Sequence, residues 1–225
     1  MIIVHHLENS RSQRVLWLLE ELGAPYEVRR HARDPETMLG PPALLRVHPL
    51  GKSPVIVDGD IVVAETGAIV EYLLDRFPAG DLRPAPGTEV HRRWRYWLHF
   101  AEGSAMPPLL LKLVFDRIAA APVAFFVKPV VRAIVGKVMA GFVTPNLKSQ
   151  MDFIEQELAT RDWLAGPQFT AADIMMSFPL EVAVQRAGLD GRRPRLQALV
   201  QRLHARPAYQ RALQRGGPYA YADAI

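Results

Sequence analysis

Four short stretches of the chain gather side chains able to do chemistry. Asn9, Ser10 and Ser12 crowd the point where an apolar run ending at Leu7 gives way to "SQRVLWLLEELG". Lys52, Ser53 and Pro54 stand together in "HPLGKSPVI", Glu65 and Thr66 open "ETGAIVEYL", and Thr170 and Asp173 open "TAADIMMSF". The chain has no cysteine, which rules out disulfides, thiolate metal sites and a cysteine nucleophile. Thiol chemistry, if it occurs, uses a sulfur that a ligand brings. Each stretch also has a plain structural reading. Ser12 fills the cap of a helix well, Thr66 caps another with Glu65 favouring its dipole, and Lys52 suits a solvated loop. Thr170 with Asp173 three residues on makes a capping pair, and that structural reading is the preferred one.

The seven histidines show no metal-ligand spacing. His5 and His6 alternate across a strand, His48 precedes a proline, and His91 and His99 lack a carboxylate four residues on. No metal site is expected.

The elements that must position these groups follow from periodicity. "IIVHH" reads as a strand. Arg14 to Leu22 is helical, with Val15, Leu18, Leu19 and Leu22 at i, i+3, i+4 and i+7, and "YEVRRH" is a second strand. Such a βαβ unit is right-handed with parallel strands. "SPVIVDGDIVVAET" reads as two strands joined at Asp58-Gly59, a dipeptide suited to a tight turn. A helix follows, with Ile69, Val70, Leu73, Leu74 and Phe77 on one side. Proline and glycine concentrate in Pro78 to Thr88, which predicts a linker over 81–88 between a domain at 1–80 and a second at 89–225. The second reads as all helical: a long helix through His91 to Met106 that Pro107-Pro108 should bend or end, another from about Pro129 to Thr160, one opening at Thr170, and two through Leu196 to His204 and Ala208 to Arg215.

Composition sets the outer limits. At 49% hydrophobic and 22% charged residues the chain reads as an ordinary globular protein. The formal charge is +4, but the arginines are scattered among carboxylates, so no nucleic-acid role is expected. The opening "MIIV" is too short for a secretory signal, which makes the cytoplasm the expected location. The apolar stretch Pro122 to Val143 is interrupted by Lys128, Arg132, Lys137 and Pro129. It reads as a buried or partly amphipathic helix rather than a membrane span.

The order of these motifs, "SRSQRVLWLLEEL", "PLGKSPV", "AETGAIVEYL" and "GPQFTAADI", resembles that of the cytosolic glutathione transferases over essentially the whole chain. "YWLHFAEGSAMPPLL" resembles a bacterial and fungal subgroup of the serine type. The resemblance implies an α/β thioredoxin-like N-terminal domain (βαβ then ββα), which holds glutathione as co-substrate, and an all-α domain that shapes the site for a small hydrophobic electrophile. It implies no permanently bound cofactor, and usually a homodimer. In the family's pattern Ser10 falls where the activating hydroxyl stands, with Asn9 as the competing donor and Ser12 left to cap. Tyr26 stands in the wrong place for a tyrosine mechanism.

Glutathione binding then falls to Lys52 for the glycyl carboxylate and to the backbone of Ser53 before a cis Pro54 for the cysteinyl part. Val55 turns inward, and Glu65 and Thr66 take the γ-glutamyl end. The second-substrate pocket falls to Leu7, Tyr96, His99, Phe100 and Met106, with Tyr219 and Tyr221 behind them. The energetics suffice: lowering a thiol pKa from about 8.5 to about 6.5 takes roughly 2.7 kcal/mol. One hydroxyl bond to an anion supplies about 1.5–3 kcal/mol and a helix terminus about 0.3–1. Conjugation is the expected reaction, with glutathione-dependent reduction of organic hydroperoxides or a non-catalytic binding module as alternatives. Thiol-transfer chemistry that needs a protein cysteine is excluded.

Overall fold

The structure, a computed structural model, describes residues 1–78, 80–187 and 192–222. Ala79 at the end of the expected first domain, and 188–191 and 223–225 of the expected second, lie outside the described residues.

The first strand β1 (Ile2–Leu7) leads into α1 (Ser12–Glu21), which returns to β2 (Tyr26–His31). β1 and β2 pair in parallel, as a βαβ unit requires. β3 (Val55–Asp58) pairs antiparallel with β1, and β4 (Ile61–Ala64) antiparallel with β3, giving the sheet order β2-β1-β3-β4. α2 (Thr66–Arg76) then packs its Ile69, Val70, Leu73 and Leu74 side into the core. The hairpin turn sits one residue later than expected. Asp58 still pairs with Ile61, so Gly59 and Asp60 are the two turn residues. Gly59, at φ 61°, takes the first central position, where a two-residue hairpin of the II′ kind needs glycine.

The helical unit begins at α3 (Glu89–Phe100), capped by the Thr88 hydroxyl, which accepts from the His91 N–H at 3.1 Å. Pro107 and Pro108 do not end the helix. A π turn at Ala101–Ala105 leads directly into α4 (Met106–Ala120). Both prolines lie in the first turn of the new helical segment, where a missing N–H is tolerated. The carbonyl of Ser104, whose α-helical donor would have been residue 108, instead accepts from Gln150 Nε2 at 2.9 Å. A second π turn at Met139–Val143 joins α5 (Lys128–Val138) to α6 (Thr144–Glu157). α7 (Ala171–Ala187), α8 (Pro194–His204) and α9 (Pro207–Gly216) complete the unit. The capping pair is in place at α7. Asp173 accepts from the Thr170 N–H at 2.9 Å and from the Leu164 N–H at 2.9 Å, while Thr170 Oγ1 accepts from the Ala172 N–H.

Of the two expectations for the apolar stretch at 122–143, a buried or a partly amphipathic helix, burial does not hold. Only Val135 and Val143 are buried, whereas Phe125, Phe126, Val130, Ile134 and Phe142 are exposed. The continuous helix Lys128–Glu157 is long and apolar enough to cross a membrane by length and composition alone.

α1 packs against the sheet, α2, α7 and α9 together, which explains why its Val15, Leu16, Trp17, Leu18 and Leu19 are all buried. It also buries Arg14, at 1% exposure. A buried guanidinium needs partners, and a proline supplies one. Pro179 lies inside α7, so the carbonyl of Met175 lacks its i+4 donor. Arg14 Nη1 donates to that carbonyl at 2.7 Å, and Nη2 donates to Glu102 Oε1 at 2.5 Å and Thr66 Oγ1 at 3.3 Å. Burial works to raise the Glu102 pKa, but the guanidinium charges of Arg14 and then Arg11 outweigh it and hold the carboxyl below its usual value. Replacing Arg14 with alanine strands both the Met175 carbonyl and the Glu102 carboxylate. Denaturant unfolding of Arg14→Ala is expected to show a loss of about 3 kcal/mol or more; a loss below about 0.5 kcal/mol, within the range of ordinary surface substitutions, contradicts this role.

Candidate active site

Two adjoining pockets open where the C-terminal end of β1 and the start of α2 face the helical unit. The smaller, of about 110 Å³, is lined by Lys52, Ser53, Pro54, Val55, Glu65 and Thr66, with Arg11 and His48 beside them. The larger, of about 420 Å³, holds Asn9, Ser10 and Met106, and shares Arg11 and Ser53 with the first. The sequence motifs separated by more than fifty residues thus meet in one cleft.

Backbone geometry marks the same place. Among the described residues three non-glycine residues have positive φ, namely Asn9 at 49°, Met38 at 61° and Glu65 at 70°. All three line the cleft. Each such conformation costs of the order of 1–3 kcal/mol, is commonest at ligand sites, and persists only where the surroundings impose it. Asn9, with its short polar side chain, tolerates the region best.

The Ser53–Pro54 peptide bond is cis. The Ser53 side chain is tied to β1: its hydroxyl donates to the His5 carbonyl at 2.8 Å and accepts from the Leu7 N–H at 3.1 Å. Its backbone N–H and C=O have no partner among the described residues. Val55 turns inward and is buried. Thr66 begins α2, and its hydroxyl oxygen accepts from Arg14, which leaves its proton to donate.

Two family models match the chain, the glutathione S-transferase N-terminal domain over residues 10–76 and the C-terminal domain over 123–207. Glutathione S-transferase 3 of Schizosaccharomyces pombe is 35% identical over 81% of this chain and 74% of its own length. Glutathione S-transferase 1 of Saccharomyces cerevisiae is 32% identical over 83% of this chain and 82% of its own. The chain belongs to the glutathione S-transferase family. A crystal structure of a glutathione S-transferase from Actinobacillus pleuropneumoniae superposes with a TM-score of 0.83 at 31% identity, covering 99% of this chain and 96% of that one. The two-unit architecture is therefore that of the glutathione S-transferases throughout.

In this transferase the junction after β1 differs in detail from the sequence expectation. Ser12 is not the cap of α1; it is the first helical residue and Arg11 occupies the cap position without a side-chain bond. Ser10 does the capping, its Oγ accepting from the Ser12 N–H at 3.2 Å. The Ser12 hydroxyl instead forms the middle of a buried chain, 2.7 Å from Ser10 Oγ and 2.9 Å from His6 Nδ1, and within reach of the Leu7 carbonyl. Asn9 Oδ1 accepts from the N–H of Ala220 at 2.7 Å, which clips the C-terminal segment over the cleft.

Leu7, Tyr96, His99 and Phe100 do not line the large pocket. Leu7 is buried, and its N–H and C=O serve Ser53 and Ser12. Tyr96, His99 and Phe100 share a separate concavity with Arg92 and Arg95. The reason is the π turn: the extra residue it accommodates rotates the helix face by about 100°, so the cleft face begins only at Met106 and runs on through Leu109, Leu110, Leu113 and Arg117. Tyr221 is a lining residue, whereas Tyr219 lies behind with its hydroxyl on Glu181. Sequence reasoning missed Glu8, Arg33, Arg117 and Arg186 in the same lining. Their numbers show why: no local pattern connects them.

Burial, and after it the charges of Arg30 and His31, push the His6 pKa down to about 4, so the ring is neutral in the folded protein near neutrality. The unfolded chain takes up a proton near pH 6.5 that the folded chain refuses until about pH 4. Stability from this group is therefore complete above pH 6.5 and is lost as pH falls through 4, by something on the order of 3 kcal/mol. Urea titrations between pH 7 and pH 4 should show this slope in the native chain and a shallower one in His6→Gln; equal slopes would contradict the assignment.

Proposed function

We propose that the chain is a serine-type glutathione transferase that ionises the thiol of bound glutathione and adds the thiolate to a small electrophile in the larger pocket. The observation that carries this reading is the position of Ser10. It stands at the positive end of α1, in the lining of the large pocket, with Ser53 of the smaller pocket beside it.

The smaller pocket offers complements to a tripeptide. Thr66 with the start of α2 suits the γ-glutamyl carboxylate, and Glu65 suits its ammonium. The unpaired backbone groups of Ser53 suit the cysteinyl amide, and Lys52 suits the glycyl carboxylate. Glutathione in that orientation brings its sulfur to Ser10.

The buried chain then has one productive polarity. With neutral His6 donating from Nδ1 to Ser12, the Ser12 proton turns from the more distant Leu7 carbonyl to Ser10 Oγ, which also accepts the Ser12 N–H. A hydroxyl oxygen already accepting two bonds is left with its proton to give to the sulfur. Asn9 is the weaker candidate. Its carbonyl is held by Ala220, and only its amide N–H groups remain for a ligand. A tyrosine mechanism has no support, because the Tyr26 hydroxyl is spent on Glu20. Glu102, fixed by Arg14 and Arg11, adds a negative charge near the γ-glutamyl end that can assist Glu65 with the ammonium. A homodimer in the cytoplasm accords with family membership.

Bond formation needs no further group. The sulfur pair attacks a carbon bearing a halide on a nitroarene, the ring and its nitro groups hold the displaced charge, and the halide leaves with its bonding electrons. The thiol proton has already passed to solvent on binding.

Ultraviolet titration of bound glutathione and conjugation of a chloronitroarene test this reading. Ser10→Ala is expected to lower kcat/KM by roughly 10- to 100-fold and to return the bound thiol toward a pKa of about 8.5. Ser12→Ala should give a smaller shift in the same direction. A bound thiol that titrates identically in the native chain and in Ser10→Ala removes Ser10 from the mechanism.

A further inference from the structure

The larger pocket is only half apolar. Met106, Leu109, Leu113, Phe178 and Val182 line it with apolar surface, and Arg33, Arg117 and Arg186 line the same cavity, Arg117 one turn beyond Leu113 on α4 and Arg186 one turn beyond Val182 on α7. We infer that the electrophile it takes is an amphipathic organic anion, with an apolar body against the first set and a carboxylate against the three guanidinium groups. This inference rests on the transferase reading above, since it concerns the same cleft.

None of the three guanidinium groups forms an ion pair with a carboxylate among the described residues. Arg33 spends its guanidinium on carbonyl oxygens, those of Glu8, Asn9 and Met38, which fixes its position without a side-chain ion pair. Arg186 donates to the Tyr221 hydroxyl at 2.6 Å and lies against the same ring. Arg117, exposed in the last turn of α4, has no hydrogen-bond or ion-pair partner among the described residues. Arg11 also lines the pocket but is paired with Glu102. The one carboxylate in the lining, Glu8, accepts from the Arg33 backbone N–H. With the Arg11–Glu102 pair set aside, three arginines against one glutamate leave the described lining at a formal +2.

Cations held without counter-charge inside a half-apolar cavity repel one another and gain when an anion enters. The burden of that arrangement is visible in Arg33. Its pKa is lowered by burial, against the opposing pull of Tyr221 and Glu8, with Arg117 adding a smaller lowering. The elements that supply the three are the segment after β2, the end of α4 and the end of α7, so the cluster exists only in the folded cleft. A neutral electrophile would fill the apolar half and leave the guanidinium groups facing water. A carboxylate para to the reacting carbon lets one molecule satisfy both halves while its electrophilic carbon faces Ser10 and Ser53, which share the lining. Substitution is balanced as before: the C–S bond forms, the C–Cl bond breaks, and chloride carries off the electron pair.

The test is a matched pair of substrates, a chlorodinitrobenzoate with its carboxylate para to chlorine and the corresponding carboxamide. The native enzyme should show a KM about tenfold or more lower for the carboxylate, and the preference should shrink as salt rises. Arg117→Gln and Arg186→Gln should each cut the ratio of kcat/KM values, carboxylate over carboxamide, by about threefold or more, and the double variant should remove most of it. Arg195→Gln on α8, whose partner is Glu155, should retain the ratio. Equal KM values for the pair, or a preference that survives the double variant, overturn the inference. Equilibrium dialysis of the unreactive dinitrobenzoate against its carboxamide separates the two claims. Preferential binding of the benzoate without turnover of either chloride keeps the anion pocket and removes the transferase reading. Turnover without charge preference does the reverse.

Discussion

The buried Arg14 guanidinium is the contact on which the rest of the structure depends. It lies in α1, the helix that faces the sheet on one side and the helical unit on the other. Its donors reach three separate elements: the Met175 carbonyl in α7, Glu102 in the π turn between α3 and α4, and Thr66 at the start of α2. Thr66 lines the smaller pocket, and Glu102 pairs with Arg11, which lines it too. The group that joins the two units also sets the geometry of one end of the proposed glutathione site. A lysine could not do this, because one ammonium lacks the forked donors that reach three directions at once.

Proline placement is the second half of that logic. Pro179 removes the donor for the Met175 carbonyl and Pro108 removes the α-helical donor for the Ser104 carbonyl. In each case a side chain from another element makes up the bond, Arg14 in the first and Gln150 in the second. A proline that would weaken an isolated helix here creates a docking point between helices. The π turn before Pro107 has a further effect, since it turns the cleft-facing side of the helix away from Tyr96, His99 and Phe100 and toward Met106 and Arg117.

The amphipathic pattern of α1, the alternation of the strands, the Asp58-Gly59 region and the Thr170–Asp173 cap were all legible because each depends on contacts within a few residues. The hairpin moved by one residue because glycine, not aspartate, is the residue the first turn position needs. Ser12 was misread for a related reason: a helix cap is decided by backbone angles, which place Ser12 inside the helix, and its own N–H is taken by the serine two residues earlier. The pocket liners on α3 were illegible because a π turn has no strong sequence signal and displaces every face that follows it. The arginines at 33, 117 and 186 look scattered along the chain, and only the tertiary fold brings them to one cavity.

The chemistry proposed for the cleft reduces to one contact. A chain without cysteine supplies a hydroxyl, oriented by Ser12 and His6 from behind, to a sulfur that arrives with the ligand. A crystal structure with glutathione bound tests that most directly. The account predicts the sulfur within about 3.2 Å of Ser10 Oγ, the γ-glutamyl carboxylate at Thr66 and the cysteinyl amide on the backbone of Ser53. A sulfur placed against the Asn9 amide, or turned away from the end of α1 altogether, would contradict it.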